Sequence, residues 1–207
     1  MAGRNGGDPA LYDRIRVAAT KAYAERGRFA TLDEIAEAAN VSRATLDHHY
    51  PSEAFLREAI NEHVMTLAAR YFGDAPLGDD EDYSHFGRRV TNLLKDNPDE
   101  IRYVARCAID RDPDGLAMFD AFMAIALHNY RVLDDNGVLD DDVDVEWAAL
   151  HQVVWNLAVM LFEHAIDNHL PEPLATDAGI ERWHQADTEL FRHGWLRPET
   201  RYRPVST

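Results

Sequence analysis

The sequence predicts an all-α protein in which three short N-terminal helices are followed by a larger helical bundle. Apolar residues recur at helical spacing along most of the 207 residues, and helix-opening and helix-ending residues separate these stretches. No segment alternates convincingly as a β-strand. Hydrophobic residues make up 46% and charged residues 28% of the chain, a composition typical of globular proteins.

Composition limits the possible functions. The single cysteine, Cys107, excludes an intramolecular disulfide and a thiolate metal cluster. Residues 1–8 lack the apolar run of a secretory signal, so we expect a cytoplasmic protein. The net charge is -16, but residues 1–50 hold 7 basic and 7 acidic residues, whereas residues 51–207 hold 14 and 30. The acidic excess therefore lies beyond residue 50, and the N-terminal segment can still approach a polyanion.

The first helix is predicted to begin at Pro9 and to end at Gly27, because Pro favours the first helical position and Gly a helix end. Its apolar residues follow one helical stripe. That stripe comprises Leu11, Ile15, Ala18, Ala19, Ala22 and Tyr23.

Two shorter helices follow. Thr31 and Glu34 form a capping box that predicts a helix start, and Asn40 is suited to the left-handed conformation that stops the helix. Ser42 is a natural N-cap for a third helix from Arg43 to His49. Two short helices joined by a turn of about four residues are the sequence form of a helix-turn-helix, whose second helix enters the major groove of DNA.

The residue types in this region resemble the DNA-binding domain of the TetR family of transcriptional regulators over roughly residues 10 to 60. Arg26-Gly27, the segment from Thr31 to Leu46 and the segment from His48 to Ser52 carry the resemblance. It implies a homodimer that binds palindromic operator DNA through half-sites roughly 34 Å apart. It also implies an all-helical C-terminal domain that binds a small-molecule effector, which releases repression.

The residues expected to contact DNA are of two kinds, because phosphate contacts position a protein and base-edge contacts specify the site. Arginine can bond guanine bidentately and Ala or Thr methyl groups can meet thymine, so we expect the first turn of the recognition helix to read bases. The expected base contacts are Arg43, Ala44 and Thr45. The expected backbone contacts are Thr31, Ser42, His48, His49 and Tyr50.

Two residues depart from the family pattern. Asp47 stands where the family usually has tyrosine, and Glu53 stands where it usually has lysine. Each places a carboxylate where the family faces a phosphate, which weakens DNA binding. Two other roles are open: Glu53 can favour the start of the fourth helix, and Asp47 can orient Arg43 through an i, i+4 pair.

Six further helices are predicted after the third, and they define the domain plan. They cover 52–72, 83–96, 98–110, 113–135 and 143–170, with a final helix near 180–195. We expect a disordered arm at 1–9, the helix-turn-helix domain at 10–55, an effector-binding and dimerising domain at 56–196, and a mobile tail at 197–207. The segment at 73–82 is expected to be a solvated loop.

The helix predicted over 143–170 is apolar on almost every side between Val153 and Phe162, so we expect one face in the core and the other against a second subunit. With the final helix it resembles the family's intersubunit four-helix bundle, an isologous interface. The residues predicted for this interface are Val154, Leu161, Trp183, Leu190 and Phe191.

Aromatic and sulfur side chains of the middle helices are either core residues or the lining of the effector pocket that the resemblance implies. They are Phe86, Tyr103, Phe119, Phe122, Met123, Trp155 and Phe162.

No catalytic residue, cofactor or metal site is predicted. His164 and His169 are five residues apart, which is not the i, i+4 spacing of a helical zinc site. Asp140, Asp142 and Asp144 alternate as in a calcium loop, but the glycine and glutamate of such a loop are missing. The apolar run between Val153 and Phe162 is too short and too interrupted by polar residues to span a membrane.

We therefore predict a one-component transcriptional regulator that acts as a repressor, and not an enzyme. The alternative is a protein of the same fold that has lost tight DNA binding through Asp47 and Glu53 and acts through a protein partner. A helical-bundle enzyme has no catalytic constellation to support it.

Overall fold

The computed structural model describes residues 9–73 and 83–197, and these residues confirm the all-α prediction. The only extended pairing within these two ranges is an isolated antiparallel bridge between Leu139 and Leu196. The helices of the described part are α1 (Pro9–Arg26), α2 (Leu32–Ala38), α3 (Arg43–His49), α4 (Glu53–Phe72), α5 (Tyr83–Asp96), α6 (Pro98–Ile109), α7 (Pro113–Asp135), α8 (Val145–Leu161), α9 (Glu163–Asp167) and α10 (Asp177–Gly194), with a 3₁₀ turn at Gly27–Phe29.

The chain forms two compact units. The first extends to Thr66 and includes Asp99–Met118, and the second contains Leu67–Pro98 and the residues from Phe119 onward. The N-terminal unit is thus larger than the predicted domain at 10–55, because α6 packs with α1 and α4. The Tyr103 hydroxyl of α6, for example, donates a hydrogen bond to Asn61 Oδ1 of α4 at 2.9 Å.

Side-chain caps start the two short helices of the first unit as predicted. At Thr31 both hydrogen bonds of the capping box are present, and at Ser42 the side chain accepts a hydrogen bond from the backbone N–H of Thr45 at 3.0 Å. Asn40 has φ 53°, the left-handed conformation predicted to end α2. The conformation of the turn between α2 and α3 is therefore determined by the turn residues and the helix ends next to them.

The core of the first unit holds α1, α2 and α3 together. Ile15, Ile35 and Leu46 are fully buried, one from each helix. Burial of such side chains contributes about 1.5–3 kcal/mol each. The Arg14 side chain of α1 also donates a hydrogen bond to the carbonyl oxygen of Ala39, at 3.0 Å. Helix α3 is thus fixed in place by its packing against α1 and α2, with its other face exposed.

The core of the second unit combines apolar side chains with buried polar ones. Tyr130 and Leu139 are completely or almost completely buried. His184 of α10 is also buried, and its Nδ1 lies 2.8 Å from the hydroxyl of Thr91 in α5. Burial lowers the pKa of His184, so the buried ring is neutral at pH 7.

The prediction of a single helix over 143–170 is wrong, because the structure has two helices there, α8 and α9. Asp144 caps α8 by accepting a hydrogen bond from the backbone N–H of Trp147, and the helix ends at Leu161. Phe162 has φ -95° and ψ 8°, and a separate one-turn helix, α9, follows it. The Asp167 side chain then accepts a hydrogen bond from the backbone N–H of Leu174 at 2.7 Å, which holds the next turn.

Three predicted segments fall largely outside the described residues: the arm before Pro9, the loop at 74–82 and the tail from residue 198. Arg197, predicted as part of the tail, is anchored, because its backbone N–H donates to Val138 O at 3.2 Å and its Nε donates to Leu139 O at 2.7 Å. In the described ranges, no helix has the length and apolar character needed to cross a membrane.

Candidate nucleic-acid interface

Helix α3 presents one polar face to solvent. Arg43, Ala44, Asp47 and His48 are exposed, whereas Leu46 on the opposite side is fully buried. These exposed positions recur at i, i+1, i+4 and i+5, which places their side chains on one face of the helix. The predicted base-reading residues Arg43 and Ala44 therefore lie on a surface that DNA can reach.

The N-terminus of α3 is polar and partly engaged. The Ser42 hydroxyl lies 2.7 Å from the hydroxyl of Thr45, so these two predicted DNA contacts are joined to each other. Thr45 is half-buried, whereas Ser42 is exposed. A phosphate at this helix start would meet the Ser42 side chain and the first backbone N–H groups of the helix.

Thr31 is exposed and held by Glu34. Its hydroxyl and its backbone N–H donate to the Glu34 carboxylate at 2.8 and 2.9 Å, and Arg26 pairs with the other carboxylate oxygen. The backbone hydrogen bond from Thr31, followed by that of its hydroxyl, lowers the pKa of Glu34. A phosphate contact at Thr31 therefore has to form beside a carboxylate that is charged at neutral pH.

Arg43 is paired with two carboxylates. Its Nε donates to Asp47 Oδ1 at 2.9 Å, which confirms the i, i+4 pair predicted from the sequence. Its Nη1 donates to Asp33 Oδ1 of α2 at 3.1 Å. Asp33 was missed by the sequence analysis because it lies ten residues away on another helix. The helix-turn-helix spacing, which brings α2 beside α3, is the signal that could have indicated it.

Glu53 is the first residue of α4 and pairs with Arg57 one turn later. Arg57 Nε donates to the Glu53 carboxylate at 3.0 Å, while Ser52 supplies the side chain that accepts from the backbone N–H of Phe55. Ser52 is therefore the cap, and Glu53 forms an i, i+4 ion pair. Half of the Glu53 side chain is exposed, so its negative charge still faces solvent.

The last predicted DNA contacts differ in exposure. His48 is exposed, whereas His49 is half-buried and its ring meets the Tyr12 ring edge-on at 4.8 Å. Tyr50 is buried, and its hydroxyl donates to the Tyr12 carbonyl oxygen at 3.2 Å. Burial raises the pKa of Tyr50 to about 12. The structure thus places Tyr50 in the core of the first unit, where its ring supports α1 and α3.

The residues predicted for the effector pocket are not one cluster. Tyr103 belongs to the first unit, where it is fully buried, and the others belong to the second. Phe86 is buried, and Phe119, Phe122 and Met123 are half-buried. Trp155 and Phe162 are 53% and 58% exposed, so they lie on the outside of their unit.

The residues predicted for the dimer interface also differ in exposure. Val154 and Leu190 are exposed, Leu161 and Trp183 are half-buried, and Phe191 is buried within its own unit against Tyr130 and Trp195. Phe191 is therefore a core residue of the protomer. The exposed side of the α8 region carries Trp147, Val154, Trp155 and Phe162, of which Trp147 was not predicted from the sequence.

The interior of the second unit holds polar groups that were not predicted as site residues from the sequence. Gln152 and His184 are buried, and Asp187 lies one turn after His184 on α10. Burial raises the pKa of Asp187 to about 6. The signal was present in the sequence, because Asp187 and Thr188 follow Ile180 and His184 at helical spacing. The described residues contain no cluster of three or more His, Cys, Asp or Glu side chains suited to a metal ion.

The helix-turn-helix segment matches a known family. Residues 15–60 match the family model described as bacterial regulatory proteins of the tetR family. A search of curated protein sequences gave no match.

Solved structures resemble the chain over most of its length. A gamma-butyrolactone receptor, described as an ArpA-like protein, is 18% identical, with a TM-score of 0.74 and coverage of 93% of this chain and 91% of the other. A putative transcriptional regulator from Saccharomonospora viridis, solved with choline, is 17% identical, with a TM-score of 0.66 and coverage of 92% and 100%. The ketosteroid transcriptional regulator KstR2 of Mycobacterium tuberculosis is 15% identical, with a TM-score of 0.63 and coverage of 94% and 100%. Residues 15–60 are thus similar to the N-terminal domain of the tetR family of bacterial regulatory proteins, and solved structures share the all-helical fold of the chain.

Proposed function

We propose that the protein is a one-component transcriptional repressor that binds palindromic operator DNA as a homodimer and is released by a small-molecule effector. The observation that carries this proposal is the exposed face of α3, where Arg43 and Ala44 stand on the first turn of a capped and supported helix. That face has the size and chemistry of a major-groove reader.

The exposed apolar side of the α8 region supports the homodimer. Val154, Trp155 and Phe162 are about half exposed in the single chain, and Leu190 of α10 is 66% exposed. Large apolar side chains grouped on one helix face are typical of interfaces. A two-fold dimer through α8 and α10 would cover them, and this arrangement gives Trp155 and Phe162 an interface role instead of a place in the effector pocket.

The effector is proposed to act in the second unit. Buried or half-buried polar groups there, including Gln152, His184 and Asp187, can give a ligand hydrogen-bonding partners. A ligand releases the protein from DNA only if it binds the DNA-free conformation more tightly. Fractionated extracts of the source cells, added to the protein–operator complex, should yield a fraction that dissociates it.

The test of DNA binding is a selection of bound fragments from the genome that encodes the protein, with unrelated DNA as control. We expect enrichment of a palindromic site and a steep fall in affinity with salt. Arg43→Ala should weaken operator binding about tenfold, whereas Leu116→Ala, at an exposed position of α7, should leave it unchanged. An empty selection would contradict the proposal.

A second candidate function is an interaction protein with weakened DNA binding. The pairing of Arg43 with two carboxylates and the exposed charge of Glu53 favour it. The double variant Asp47→Tyr, Glu53→Lys separates the two functions. A working repressor should bind its operator modestly more tightly, whereas a degenerate one should acquire DNA binding that the natural chain lacks.

A further inference from the structure

The helix-turn-helix of this chain has an unusual charge balance for a surface that faces DNA. Residues 31–50 contain one arginine and no lysine, but four carboxylates: Asp33, Glu34, Glu37 and Asp47. Two of the four hold the arginine. Non-specific attraction to phosphates is therefore small here, and the chemistry around Arg43 decides what this surface binds.

The two carboxylates hold different nitrogens of Arg43. Asp47 accepts from Nε at 2.9 Å, and Asp33 accepts from Nη1 at 3.1 Å. A guanidinium carries five N–H donors in one plane, and O6 and N7 of guanine accept from two neighbouring ones. With Nε on Asp47, the end formed by Nη1 and Nη2 is the part that can address guanine. Asp33 occupies one nitrogen of that end.

We propose that Asp47 and Asp33 set the sequence specificity of the recognition helix in two different ways. Asp47 is a positioning residue that keeps its bond to Nε on DNA and aims the guanidinium at a guanine. Asp33 is a competitor that the guanine edge must displace from Nη1. The inference rests on the proposed function, since it concerns how the same surface chooses its operator.

The physical basis is a difference between specific and non-specific DNA. A guanine edge offers two acceptors in the plane of the guanidinium, which offsets the lost bond to Asp33. Unrelated DNA offers no such pair of acceptors at that position, and both carboxylates then oppose the phosphates. The arrangement lowers affinity for all DNA but lowers it more for unrelated sequences.

The exposure of the three side chains makes this exchange possible. Arg43 and Asp47 have side chains that are 43% and 49% exposed, and Asp33 is more exposed still. Exposed ion pairs of this kind are weak, so DNA can break the bond to Asp33 at a small cost. The i, i+4 pair with Asp47 lies within one helix and does not depend on how α2 and α3 are placed.

The experiment uses the full chain and the operator recovered from the genomic selection. Binding is measured by fluorescence anisotropy over a salt series on three duplexes: the operator, unrelated DNA, and operators in which each guanine in turn is replaced by 7-deazaguanine, which lacks the N7 acceptor. The variants are Asp33→Asn, Asp47→Asn and Arg43→Ala. Glu37→Gln is the matched control, because Glu37 is an exposed carboxylate of α2 in the groove that Asp33 and Arg43 line.

We expect one guanine whose replacement weakens the natural protein about tenfold and leaves Arg43→Ala unaffected. Asp47→Asn should lose most of that tenfold penalty while binding unrelated DNA about two- to fivefold more tightly. Asp33→Asn should bind both duplexes more tightly, unrelated DNA by a larger factor than the operator, and should keep the penalty. Glu37→Gln should change the affinities for both duplexes by one common factor and keep the penalty, as a charge without contact to Arg43 should.

Three results overturn the inference while leaving the proposed function intact: Asp47→Asn retains the full penalty, Asp33→Asn changes the affinities for operator and unrelated DNA by one common factor as Glu37→Gln does, or Arg43→Ala keeps the guanine preference. An empty genomic selection overturns the proposed function, and the inference with it.

Discussion

The guanidinium of Arg57 lies over the ring of Tyr23, 4.1 Å from its centroid, and both residues are well shielded from solvent. The same guanidinium donates to Glu53 and to Asp112, at 3.0 and 3.4 Å. One side chain of α4 thus joins α1 and the residues after α6. The first unit holds together around a cation and not only around apolar contacts.

Replacement of Arg57 should destabilise the first unit. Arg57→Met keeps the apolar stem but removes the cation–π contact and both ion pairs, and we expect the free energy of unfolding to fall by about 2 kcal/mol. Urea denaturation followed by circular dichroism measures the change. Arg70→Met is the matched control, because Arg70 lies over the Tyr71 ring at 5.1 Å but is exposed, and it should lose less than about 1 kcal/mol. Equal losses in the two variants would contradict the role given to Arg57.

Gly27 should not tolerate a side chain. Its φ is 57°, and a Cβ there would collide with the carboxylate of Asp110 and press on the Arg106 side chain. We expect Gly27→Ala to lower the free energy of unfolding by about 2 kcal/mol or more, of which about 1 kcal/mol is the cost of the left-handed backbone.

Gly137 serves to separate the cost of the left-handed backbone from the cost of the collision with Asp110. Its φ is 66°, but a Cβ there meets no atom within 4 Å. Gly137→Ala should therefore lose only the backbone part, about 1 kcal/mol, in the same urea measurement. If Gly27→Ala lowers the free energy of unfolding no more than Gly137→Ala does, then the close approach of Asp110 does not contribute to the loss of stability.

Asp187 should make stability depend on pH. Burial raises its pKa to about 6, so between about pH 4 and pH 6 the folded chain binds this proton more tightly than the unfolded chain. Its contribution to stability is therefore present at low pH and is lost as pH rises through 6. Asp187→Asn should raise the free energy of unfolding by about 2 kcal/mol at pH 8 and leave it unchanged near pH 3.5.

The measurement is urea unfolding of both proteins from pH 3.5 to 8. His184 changes stability in the opposite sense, because burial lowers its pKa and the chain loses stability as pH falls below about 6.5. Since His184 is present in both proteins, the difference between the two curves isolates Asp187. A difference that is constant with pH would show that Asp187 does not titrate in this range.

The exposed side of α8 should be needed for dimerisation. Val154→Asp places a charge in the proposed two-fold interface, and we expect the dimer dissociation constant to rise at least a hundredfold because the charge would be buried without a partner. Analytical ultracentrifugation measures the constant. Leu116→Asp, which changes a similarly exposed apolar residue of α7, should leave it unchanged. A natural chain that is monomeric at high micromolar concentration would contradict the proposed homodimer.

Local signals in the sequence predicted local structure well. Pro9, Thr31, Asn40 and Ser42 mark helix ends through the conformation of one residue or a bond to a near neighbour, and each lies where it was predicted to act. The pair between Arg43 and Asp47 could be predicted for the same reason, because one helical turn fixes their separation.

Features that depend on the surroundings were not predicted. The end of α8 at Leu161 has no proline or glycine to mark it, so helical periodicity continued past it. Periodicity also shows that Trp155 and Phe191 lie on apolar faces but not which face meets the protomer's own core. Asp33 reaches Arg43 through tertiary packing, which a spacing rule within one helix does not contain.

The bridge between Leu139 and Leu196, both buried, fastens the residues directly after α10 to the segment before α8. For protein engineering this means that affinity tags and fusion partners belong after Arg197. A stop codon at position 195 would remove Trp195, Leu196 and Arg197 and uncover Leu139, turning a short truncation into a folding defect that proteases could recognise.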